Sequence, residues 1–252
     1  MVKIKAVITG ASSGIGSCMA TYLSNTLGYD LILIARRTEL LEVLKTKLNT
    51  NIKIISYDLT NNLDELWNQL KDEDIDLFIN NAGFGIYGEF INTSLDKELN
   101  MIDLDIKAVH YLSKKYIQSR LTKDSGHLLN VASSAGFMAG PYLSSYYASK
   151  SYVLRLTEAI YEELRQKNSN IHVSILCPGP VSTDFNNIAN CTESVKGISP
   201  EYVAKYAIDN TLKNKLHIVP TLKMKLALFG NRFISTRLLL KINYNIQKKK
   251  EK

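Results

Sequence analysis

Short apolar runs and longer segments of helical period alternate along most of the chain. Seven runs have the composition of strands, at residues 3–9, 30–35, 52–57, 76–80, 127–132, 171–177 and 217–220. The segments between them place apolar residues three and four positions apart. Apolar strands that alternate with helices indicate a parallel sheet with helices on both faces. We therefore predict an α/β fold, a doubly wound parallel sheet of about seven strands.

No linker, internal repeat or low-complexity stretch interrupts this alternation before residue 220. We expect residues 1–220 to form a single domain, because a chain of 252 residues can bury one sizeable core. Residues 221–252 follow the last predicted strand and mix apolar clusters with regularly placed cations. They are predicted to form a basic, amphipathic C-terminal extension.

Charge also separates the two parts of the chain. The net charge is +7, yet residues 213–252 carry eleven Lys and Arg against one acid, Glu251. That segment has a net charge of +10, so the rest of the chain has a net charge of −3. A near-neutral body with a basic tail is not typical of a nucleic-acid-binding fold, and no nucleic-acid partner is expected.

The three cysteines and four histidines show no spacing typical of disulfides or metal sites, so we expect no bound metal. Sparse cysteines favour a reducing compartment, and a cytoplasmic protein is expected. The first residues lead directly into a strand-like run that is too short for a signal peptide. No run of 18 uncharged apolar residues predicts a membrane-spanning helix.

The sequence TGASSGIG, at residues 9–16, follows the first predicted strand and opens the first helix. Gly10, Gly14 and Gly16 have the spacing of a dinucleotide-binding turn, in which glycine lets backbone N–H groups approach a pyrophosphate. The dipole of the helix N-terminus favours the same anion. An ordinary strand–helix connection rich in small residues is the alternative. The position in the first unit of the fold favours a Rossmann-type cofactor site.

Two arginines, Arg36 and Arg37, follow the second predicted strand in ILIARRTELL. An acidic residue there would bind the ribose 2′-hydroxyl of NAD, whereas guanidinium groups suit a 2′-phosphate. The alternative is that the two arginines are simply solvated at the start of a helix, but their positive charges would then oppose the helix dipole. The pair therefore predicts NADP(H) as the cofactor.

Three tyrosines precede a lysine by four residues, in the pairs Tyr111/Lys115, Tyr146/Lys150 and Tyr244/Lys248. Only Tyr146 begins a predicted helix just after a strand whose end carries a serine, Ser133. Helical spacing places Tyr146 and Lys150 on one face. An ammonium about 4 Å away could lower a phenol pKa of about 10 toward the range that acid–base catalysis requires. Tyr147 has no such lysine, and we expect it to pack.

Taken in order, these motifs resemble those of the short-chain dehydrogenase/reductase family over about residues 3–220. Further matches are YDLT at 57–60, NNAG at 80–83, NVASSAG at 130–136 and PGPVSTDF at 178–185. The resemblance implies that Ser133, Tyr146 and Lys150 are catalytic. With the glycine turn and the arginine pair, the implied cofactor site comprises Gly10, Ser12, Ser13, Gly14, Ile15, Gly16, Arg36, Arg37, Asp58, Leu59, Asn81, Ala82, Gly83, Tyr146, Lys150, Pro178, Gly179, Val181 and Thr183.

One position departs from the family pattern. The family usually has an asparagine in the helix before the fifth strand, where it holds a water on a proton relay to the lysine. Asp105, in MIDLDIKAVHYL, occupies this position. An aspartate can accept a hydrogen bond from the same water, but it adds a charge. Asp105 either joins the catalytic set or makes only a local helix contact.

The resemblance implies an oxidoreductase that transfers a hydride between NADP(H) and a carbonyl or secondary alcohol. The expected pocket rim comprises residues 83–90 and 136–145 and a polar lid at 186–199. Several rim side chains indicate an apolar or aromatic carbonyl substrate unless they pack into the core instead: Phe84, Phe137, Met138 and Tyr142. The resemblance also implies a homodimer or homotetramer.

Two questions stay open at this level. A regulatory protein that binds the nucleotide with little or no turnover is the alternative function; Asp105 favours it weakly, and the intact catalytic residues oppose it. The extension has two interpretations as well. In the first interpretation, the extension forms a basic amphipathic helix that lies on an anionic membrane surface, which would make the protein membrane-associated. The extension could equally cover the pocket or contact another subunit.

Overall fold

The computed structural model of the protein describes residues 4–183, 189 and 197–249. Within them, seven strands form one sheet: β1 Lys5–Thr9, β2 Asp30–Ala35, β3 Ile52–Ser56, β4 Leu77–Asn80, β5 Gly126–Val131, β6 Ile171–Leu176 and β7 His217–Ile218. The strand order is β3-β2-β1-β4-β5-β6-β7, and every neighbouring pair is parallel. The predicted doubly wound α/β fold is confirmed, and each strand ends within two residues of its predicted bounds.

The described α-helices surround this sheet. They are α1 Gly14–Asn25, α2 Thr38–Lys45, α3 Leu63–Asn68, α4 Leu95–Ile102, α5 Val109–Arg120, α6 Ser144–Gln166, α7 Pro200–Thr211, α8 Leu222–Gly230 and α9 Thr236–Lys248. A π-helical turn at Asp103–Ala108 joins α4 to α5. Short 3₁₀ turns lie at Ser134–Phe137 and Asn231–Phe233.

Two apolar cores cover the two faces of the sheet because successive residues of a strand point in opposite directions. Ala6 and Ile8 of β1 pack into the core that α1 and α7 complete, whereas Val7 packs into the other core with Trp67 and Tyr116. The three β1 side chains are fully buried. Burial of a large apolar side chain contributes about 1.5–3 kcal/mol, so this alternation fixes the orientation of the strand.

The strand order places a crevice at the carboxyl end of β1. That strand lies between β2 and β4, and the chain crosses the sheet after β3 to continue on the other side. Loops that follow strands on either side of such a point diverge and leave room for a ligand. The TGASSGIG turn leaves β1 here and the NNAG segment leaves β4. The fold thus brings the two predicted cofactor segments together.

A buried polar network fixes the ends of the neighbouring strands. Asn80 of β4 donates hydrogen bonds to Ser113 of α5 at 3.1 Å and to Asn130 of β5 at 2.9 Å. Asn130 in turn donates to Thr157 of α6 at 2.9 Å. All four side chains are buried. Because buried polar groups are costly when unpaired, the network holds the strand ends and helices in one arrangement.

Candidate active site

The glycine turn is required by the geometry of the site. Gly10 and Gly14 have φ angles of 65° and 57°, which glycine adopts without steric cost. A Cβ on Gly10 would lie 2.7 Å from the Cα of Ala82. A Cβ on Gly16 would lie 2.5 Å from both the Nδ2 of Asn81 and the carbonyl oxygen of Gly10. A side chain at any of the three positions would strain the turn or push it away from the NNAG segment.

Hydrogen bonds hold the NNAG segment against this turn. The Nδ2 of Asn81 donates to the carbonyl oxygens of Thr9 at 3.0 Å and Gly10 at 3.2 Å. The Oγ1 of Thr9 accepts from the amides of Asn81 at 2.9 Å and Ala82 at 3.1 Å. Sequence reasoning omitted Thr9, although it is the first residue of the quoted TGASSGIG motif. Its hydroxyl joins the carboxyl ends of β1 and β4.

The N-terminus of α1 fits a bound pyrophosphate. The N-cap residue Ser13 makes no side-chain capping bond, and the first turn carries no acidic residue. The first amides of a helix lack intrahelical partners and attract anions. Arg37 donates to the hydroxyls of Ser12 at 3.1 Å and Ser13 at 2.8 Å, which adds a positive charge beside them. Thr183 lies close to Gly14, since a Cβ on this glycine would be 3.4 Å from the Cγ2 of Thr183.

The second arginine, Arg36, lies beside Asp58, another residue of the predicted cofactor site. Arg36 is two-thirds exposed, and its Nη1 lies 3.5 Å from the Oδ2 of Asp58. Asp58 also accepts hydrogen bonds from the amide and hydroxyl of Thr60 at 3.0 and 2.9 Å. Partial burial opposes the charge of Asp58, but the Thr60 bonds and Arg36 outweigh it and lower the pKa of the carboxyl. The structure therefore groups Arg36, Arg37 and Asp58 around one edge of the crevice, as predicted.

The four predicted catalytic residues also come together. The Nζ of Lys150 lies 3.0 Å from the Oδ2 of Asp105 and 5.7 Å from the centre of the Tyr146 ring. Ser133, after β5, hydrogen-bonds Tyr146 on α6. The side chains of Lys150 and Asp105 are 6% and 0% exposed. A proton donor, a hydroxyl and a buried ion pair thus share one site beside the glycine turn.

Asp105 faces this site and does not merely contact its own helix. It lies in the π-helical turn, a feature that is frequent at functional sites. The amide of Phe84 donates to its Oδ1 at 3.1 Å, and the hydroxyl of Ser149 donates to its Oδ2 at 3.4 Å. A Cβ on Gly83 would lie 2.9 Å from the Nζ of Lys150 and 3.0 Å from the Oδ1 of Asp105. Glycine at position 83 leaves the space that the ion pair occupies.

Burial is the largest single influence on the pKa of each of the three ionisable groups in the site. It raises the pKa of Asp105. Burial opposes the charge of Lys150, but the Asp105 carboxylate outweighs it and raises the pKa of the lysine. Burial raises the pKa of Tyr146, while Lys150 and Ser133 lower it and Asp105 raises it further. Lys150 lowers the pKa of Tyr146, as predicted. The expectation that the lysine brings this pKa toward neutral pH is wrong for this structure, because burial raises the pKa by more than Lys150 lowers it.

The other two Tyr/Lys pairs have different surroundings. Tyr111 hydrogen-bonds Asp64, and burial together with this carboxylate raises the pKa of Tyr111 to about 12. Lys115 forms an ion pair with the same Asp64 at 3.6 Å. Tyr244 lies on α9 and packs on Tyr142, with ring centres 5.5 Å apart. Neither pair joins Ser133, which agrees with the choice of Tyr146 from the sequence.

The segment after β6 borders the site as far as the structure describes it. The carbonyl oxygen of Pro178 accepts from the amide of Ser134 at 2.9 Å, and Val181 pairs with Ile198 in an isolated parallel bridge. A Cβ on Gly179 would lie 2.5 Å from the Cε of Met224 on α8. The predicted lid, 186–199, falls outside the described residues except at 189 and 197–199.

Helix α9 covers two of the predicted rim segments. The Nδ2 of Asn243 donates to the carbonyl oxygen of Ala139 at 2.8 Å. The Nε2 of Gln247 donates to the hydroxyl of Tyr147 at 2.8 Å, and the hydroxyl of Tyr87 donates to the carbonyl oxygen of Gln247 at 2.7 Å. Of the two interpretations of the extension, these contacts support the one in which it packs over the pocket. Sequence reasoning did not find Asn243 or Gln247, since amides on a basic helix give no signal of what they contact.

The predicted pocket rim contains a cluster of tyrosines, but Phe137, one of its predicted members, packs elsewhere. Tyr142, with a φ of 65°, stacks on Tyr87 with ring centres 5.6 Å apart and is buried. Tyr147 packs closely over Gly140, as the prediction that it packs requires. Phe137 instead packs against a small core that includes Val153 and Leu154, so the core-packing alternative holds for that residue.

Comparisons with known proteins agree with this geometry. Residues 5–194 match the family model for short chain dehydrogenases. An uncharacterised oxidoreductase of Staphylococcus epidermidis is 32% identical over 190 residues, which cover 73% of this chain and 81% of the relative. A match over most of the chain establishes membership, so the chain belongs to the short-chain dehydrogenase family and is an oxidoreductase of that family.

Solved structures with the same fold cover nearly the whole chain. A short-chain dehydrogenase from Sphingobium yanoikuyae in complex with NADPH has a TM-score of 0.81 and 26% identity, covering 91% of this chain and 93% of that one. The bulky-bulky ketone specific alcohol dehydrogenase from Comamonas testosteroni has a TM-score of 0.79 and 25% identity, covering 92% and 93%. A Burkholderia phymatum family member in complex with NAD has a TM-score of 0.80 at 22% identity, covering 90% and 92%. Nicotinamide dinucleotides of both kinds therefore occur on this fold.

The described residues form neither a membrane-spanning helix nor a metal site. None of their helices combines the length and apolar character needed to span a bilayer. No group of three or more His, Cys, Asp or Glu side chains among them is arranged to hold a metal ion.

Proposed function

We propose that this protein is an NADP(H)-dependent oxidoreductase that interconverts an apolar carbonyl compound and its secondary alcohol. The observation that carries the proposal is the assembly of Ser133, Tyr146 and Lys150 beside the glycine turn, with the Lys150 ammonium 5.7 Å from the Tyr146 ring centre. A binding module would need the turn but not a proton donor next to it.

The residues around the crevice fit a dinucleotide. The uncapped N-terminus of α1 would hold the pyrophosphate, and Asp58 the adenine. Lys150 would bind the nicotinamide ribose, and Asn81 would keep the turn in place. The segment from Pro178 to Thr183 would cover the nicotinamide. When bound, NADP(H) supplies or accepts the hydride at the substrate carbon.

Tyr146 is the proposed proton donor. Its raised pKa keeps the phenol protonated at neutral pH, so it can donate to the carbonyl oxygen as that oxygen gains charge during reduction. Ser133, which hydrogen-bonds Tyr146, would donate to the same oxygen and stabilise the charge. In the oxidative direction the phenolate must take a proton from the alcohol. Oxidation is therefore expected to accelerate as the pH rises toward the pKa of Tyr146.

Lys150 and Asp105 tune that phenol. The buried ammonium lowers the pKa of Tyr146, while the carboxylate of Asp105 acts in the opposite direction. The 3.0 Å ion pair also holds the charge of Lys150, because an unpaired ammonium in this environment would tend to lose its proton. We assign Asp105 a positioning role in this pair.

Arg36 and Arg37 support NADP(H) over NAD(H). Their guanidinium groups lie at the end of β2 beside the glycine turn, where a 2′-phosphate would accept charge-assisted hydrogen bonds.

The rim supports an apolar substrate with some bulk. Aromatic rings cluster at this rim: Tyr87 stacks on the buried Tyr142, and Tyr244 of α9 packs on Tyr142 as well. The similarity to an alcohol dehydrogenase specific for bulky-bulky ketones favours a ketone with two large substituents. A homodimer or homotetramer in the cytoplasm remains part of the proposal, by analogy with the family and from the sparse cysteines.

A screen of NADPH oxidation against aliphatic and aromatic ketones and aldehydes tests the function. We expect turnover with at least one bulky ketone and slower turnover with NADH. NADPH binding without oxidation of any compound in the panel would favour the alternative, a nucleotide-binding regulatory protein. Failure to bind either nucleotide would overturn both.

A further inference from the structure

The most unusual surface of the described chain lies on the segment after β7. Leu222, Leu226 and Phe229 recur at intervals of four and three residues, which places them on one side of α8, and Phe233 follows four residues later in the 3₁₀ turn after that helix. Each is between 58% and 75% exposed. We call these four residues the apolar stripe. Single exposed apolar residues are normal, but a row of four large ones indicates an interaction surface.

The stripe is exposed because a different side of α8 packs on the protein. Met224 and Leu228, one turn apart, lie against the small core that includes Val153. The stripe residues are offset from this pair and point elsewhere. Phe229 and Phe233 contact each other edge to face, with ring centres 5.3 Å apart. The helix is therefore held by one side and leaves a second apolar side open.

Charge identifies what the stripe contacts. No acidic residue occurs between Asp209 and Glu251. Three exposed cations lie on the same helix and turn as the stripe: Lys223, Lys225 and Arg232. Large apolar and aromatic side chains among cations, with no acid, are the composition of helices that lie in the interface of an anionic bilayer. We infer that the apolar stripe and these cations form a docking surface for an anionic lipid membrane.

A second copy of the chain is a poorer occupant of this surface. In a two-fold symmetric contact the same patch meets itself, so the cations of each copy would face those of the other. Like charges that meet across an interface oppose association, and no acid lies within the segment to neutralise them. An anionic lipid surface satisfies the charge and the apolar side chains together. None of the described helices can cross the bilayer, so the contact is peripheral.

Sedimentation of the full-length protein with vesicles tests the inference. We expect binding to vesicles that contain phosphatidylglycerol and little binding to phosphatidylcholine alone, with affinity falling as salt rises. Phe229→Ser with Phe233→Ser should weaken binding about tenfold or more, because two large apolar groups lose their burial in lipid. Lys223→Gln with Arg232→Gln should weaken it about fivefold for each charge removed.

A matched control comes from exposed apolar residues outside the extension. Ile91 and Leu121 are 85% and 59% exposed, so Ile91→Ser with Leu121→Ser removes similar apolar surface elsewhere. Vesicle binding should not change in that variant. The inference would be overturned if the Ile91/Leu121 variant lost as much vesicle binding as the Phe229/Phe233 variant. Equal binding of the native protein to neutral and anionic vesicles would overturn it as well.

A fluorescence measurement uses a conservative substitution that should leave the fold intact. Phe233→Trp keeps a large aromatic side chain at the most exposed position of the stripe. Brominated phosphatidylglycerol should quench its emission, whereas the native Trp67 is 8% exposed and should be quenched little. Absence of quenching would contradict insertion. If the serine variants instead dissociate a subunit assembly and no vesicles bind, a second copy covers the stripe. NADPH turnover in solution is a separate measurement, so either proposal can fail alone.

Discussion

The body of the protein and its C-terminal extension bury opposite kinds of side chain. In β1 the inward residues are apolar and fully buried, as in Ile8. In α9 the buried residues are amides, Asn243 and Gln247, whereas Leu238 and Ile246 are about half exposed. The body is also near neutral, and the extension is strongly basic.

This difference teaches how each part is held. Apolar burial is non-directional and holds the body as one cooperative unit. Helix α9 of the extension is held instead by a few hydrogen bonds to residues such as Ala139 and Tyr147, each of which contributes about 0.5–1.5 kcal/mol. Elements held in this way open at low free-energy cost. We expect the body to supply cofactor binding and chemistry, and the extension to modulate access to the pocket.

The largest expected effect is the loss of chemistry from the body. Tyr146→Phe removes the proposed proton donor and should lower kcat about 10²–10⁴-fold. NADPH affinity should stay nearly unchanged, because the proposed contacts to the pyrophosphate and the 2′-phosphate come from the glycine turn and the arginine pair. Steady-state kinetics and fluorescence titration of NADPH measure the two quantities.

Tyr147→Phe is the matched control for that experiment. It removes the neighbouring hydroxyl, which Gln247 of the extension contacts, and leaves Tyr146 in place. Its kcat should stay within a few-fold of the native value, with any effect in KM. Equal losses of kcat in the two variants would mean that Tyr146 has no special role and that the body–extension division is wrong.

The second effect concerns cofactor choice. Arg36→Ala with Arg37→Ala should weaken NADPH binding by about 2–4 kcal/mol and change NADH binding little, because each charged hydrogen bond contributes about 1.5–3 kcal/mol. Arg155→Ala with Arg165→Ala removes two exposed α6 arginines that pair with glutamates, and it controls for net charge. Isothermal titration with both nucleotides decides the matter. Equal losses for NADPH and NADH would show that the arginines do not read the 2′-phosphate.

The sequence predicted the features that depend on neighbouring residues and missed those that depend on contacts between distant segments. The strands and the glycine turn were predicted because periodicity and local φ requirements are encoded within a few residues, as at Gly10. The π-helical turn around Asp105 was not, because it depends on how α4 and α5 pack on the rest of the protein. Phe137 was placed on the rim, yet it is partly buried and packs against a core formed by distant segments. The buried amides of α9 were missed for the same reason.

A smaller effect should appear in the stability of the extension alone. Asn243→Ala with Gln247→Ala removes the bonds to Ala139 and Tyr147, and should lower the opening free energy of α9 by about 1–3 kcal/mol. Hydrogen exchange of the α9 amides measures this, and exchange in β1 should not change. Asn245→Ala, at an exposed α9 position, is the control. Unchanged protection of α9 in the double variant would show that other contacts hold the helix.

The smallest expected effect concerns the charge of Asp105 inside the body. The carboxylate raises the pKa of Tyr146, so Asp105→Asn removes that contribution and leaves the lowering effects of Lys150 and Ser133. With less opposition to the phenolate, the basic midpoint of alcohol oxidation should move to lower pH by about half a unit to one unit, or roughly 0.7–1.4 kcal/mol. The groups are coupled, so the midpoint belongs to the site as a whole.

The pH–rate profile of oxidation, measured at saturating NADP⁺, tests this shift against a second variant on the same turn. Asp103→Asn removes a carboxylate that pairs with Lys107 at 3.3 Å on the exposed side of the π-helical turn, and it should leave the midpoint unchanged. A midpoint that moves upward in Asp105→Asn would contradict the prediction. It would mean that Lys150 needs the carboxylate to keep its proton, since burial alone disfavours the ammonium and a neutral lysine cannot stabilise the phenolate.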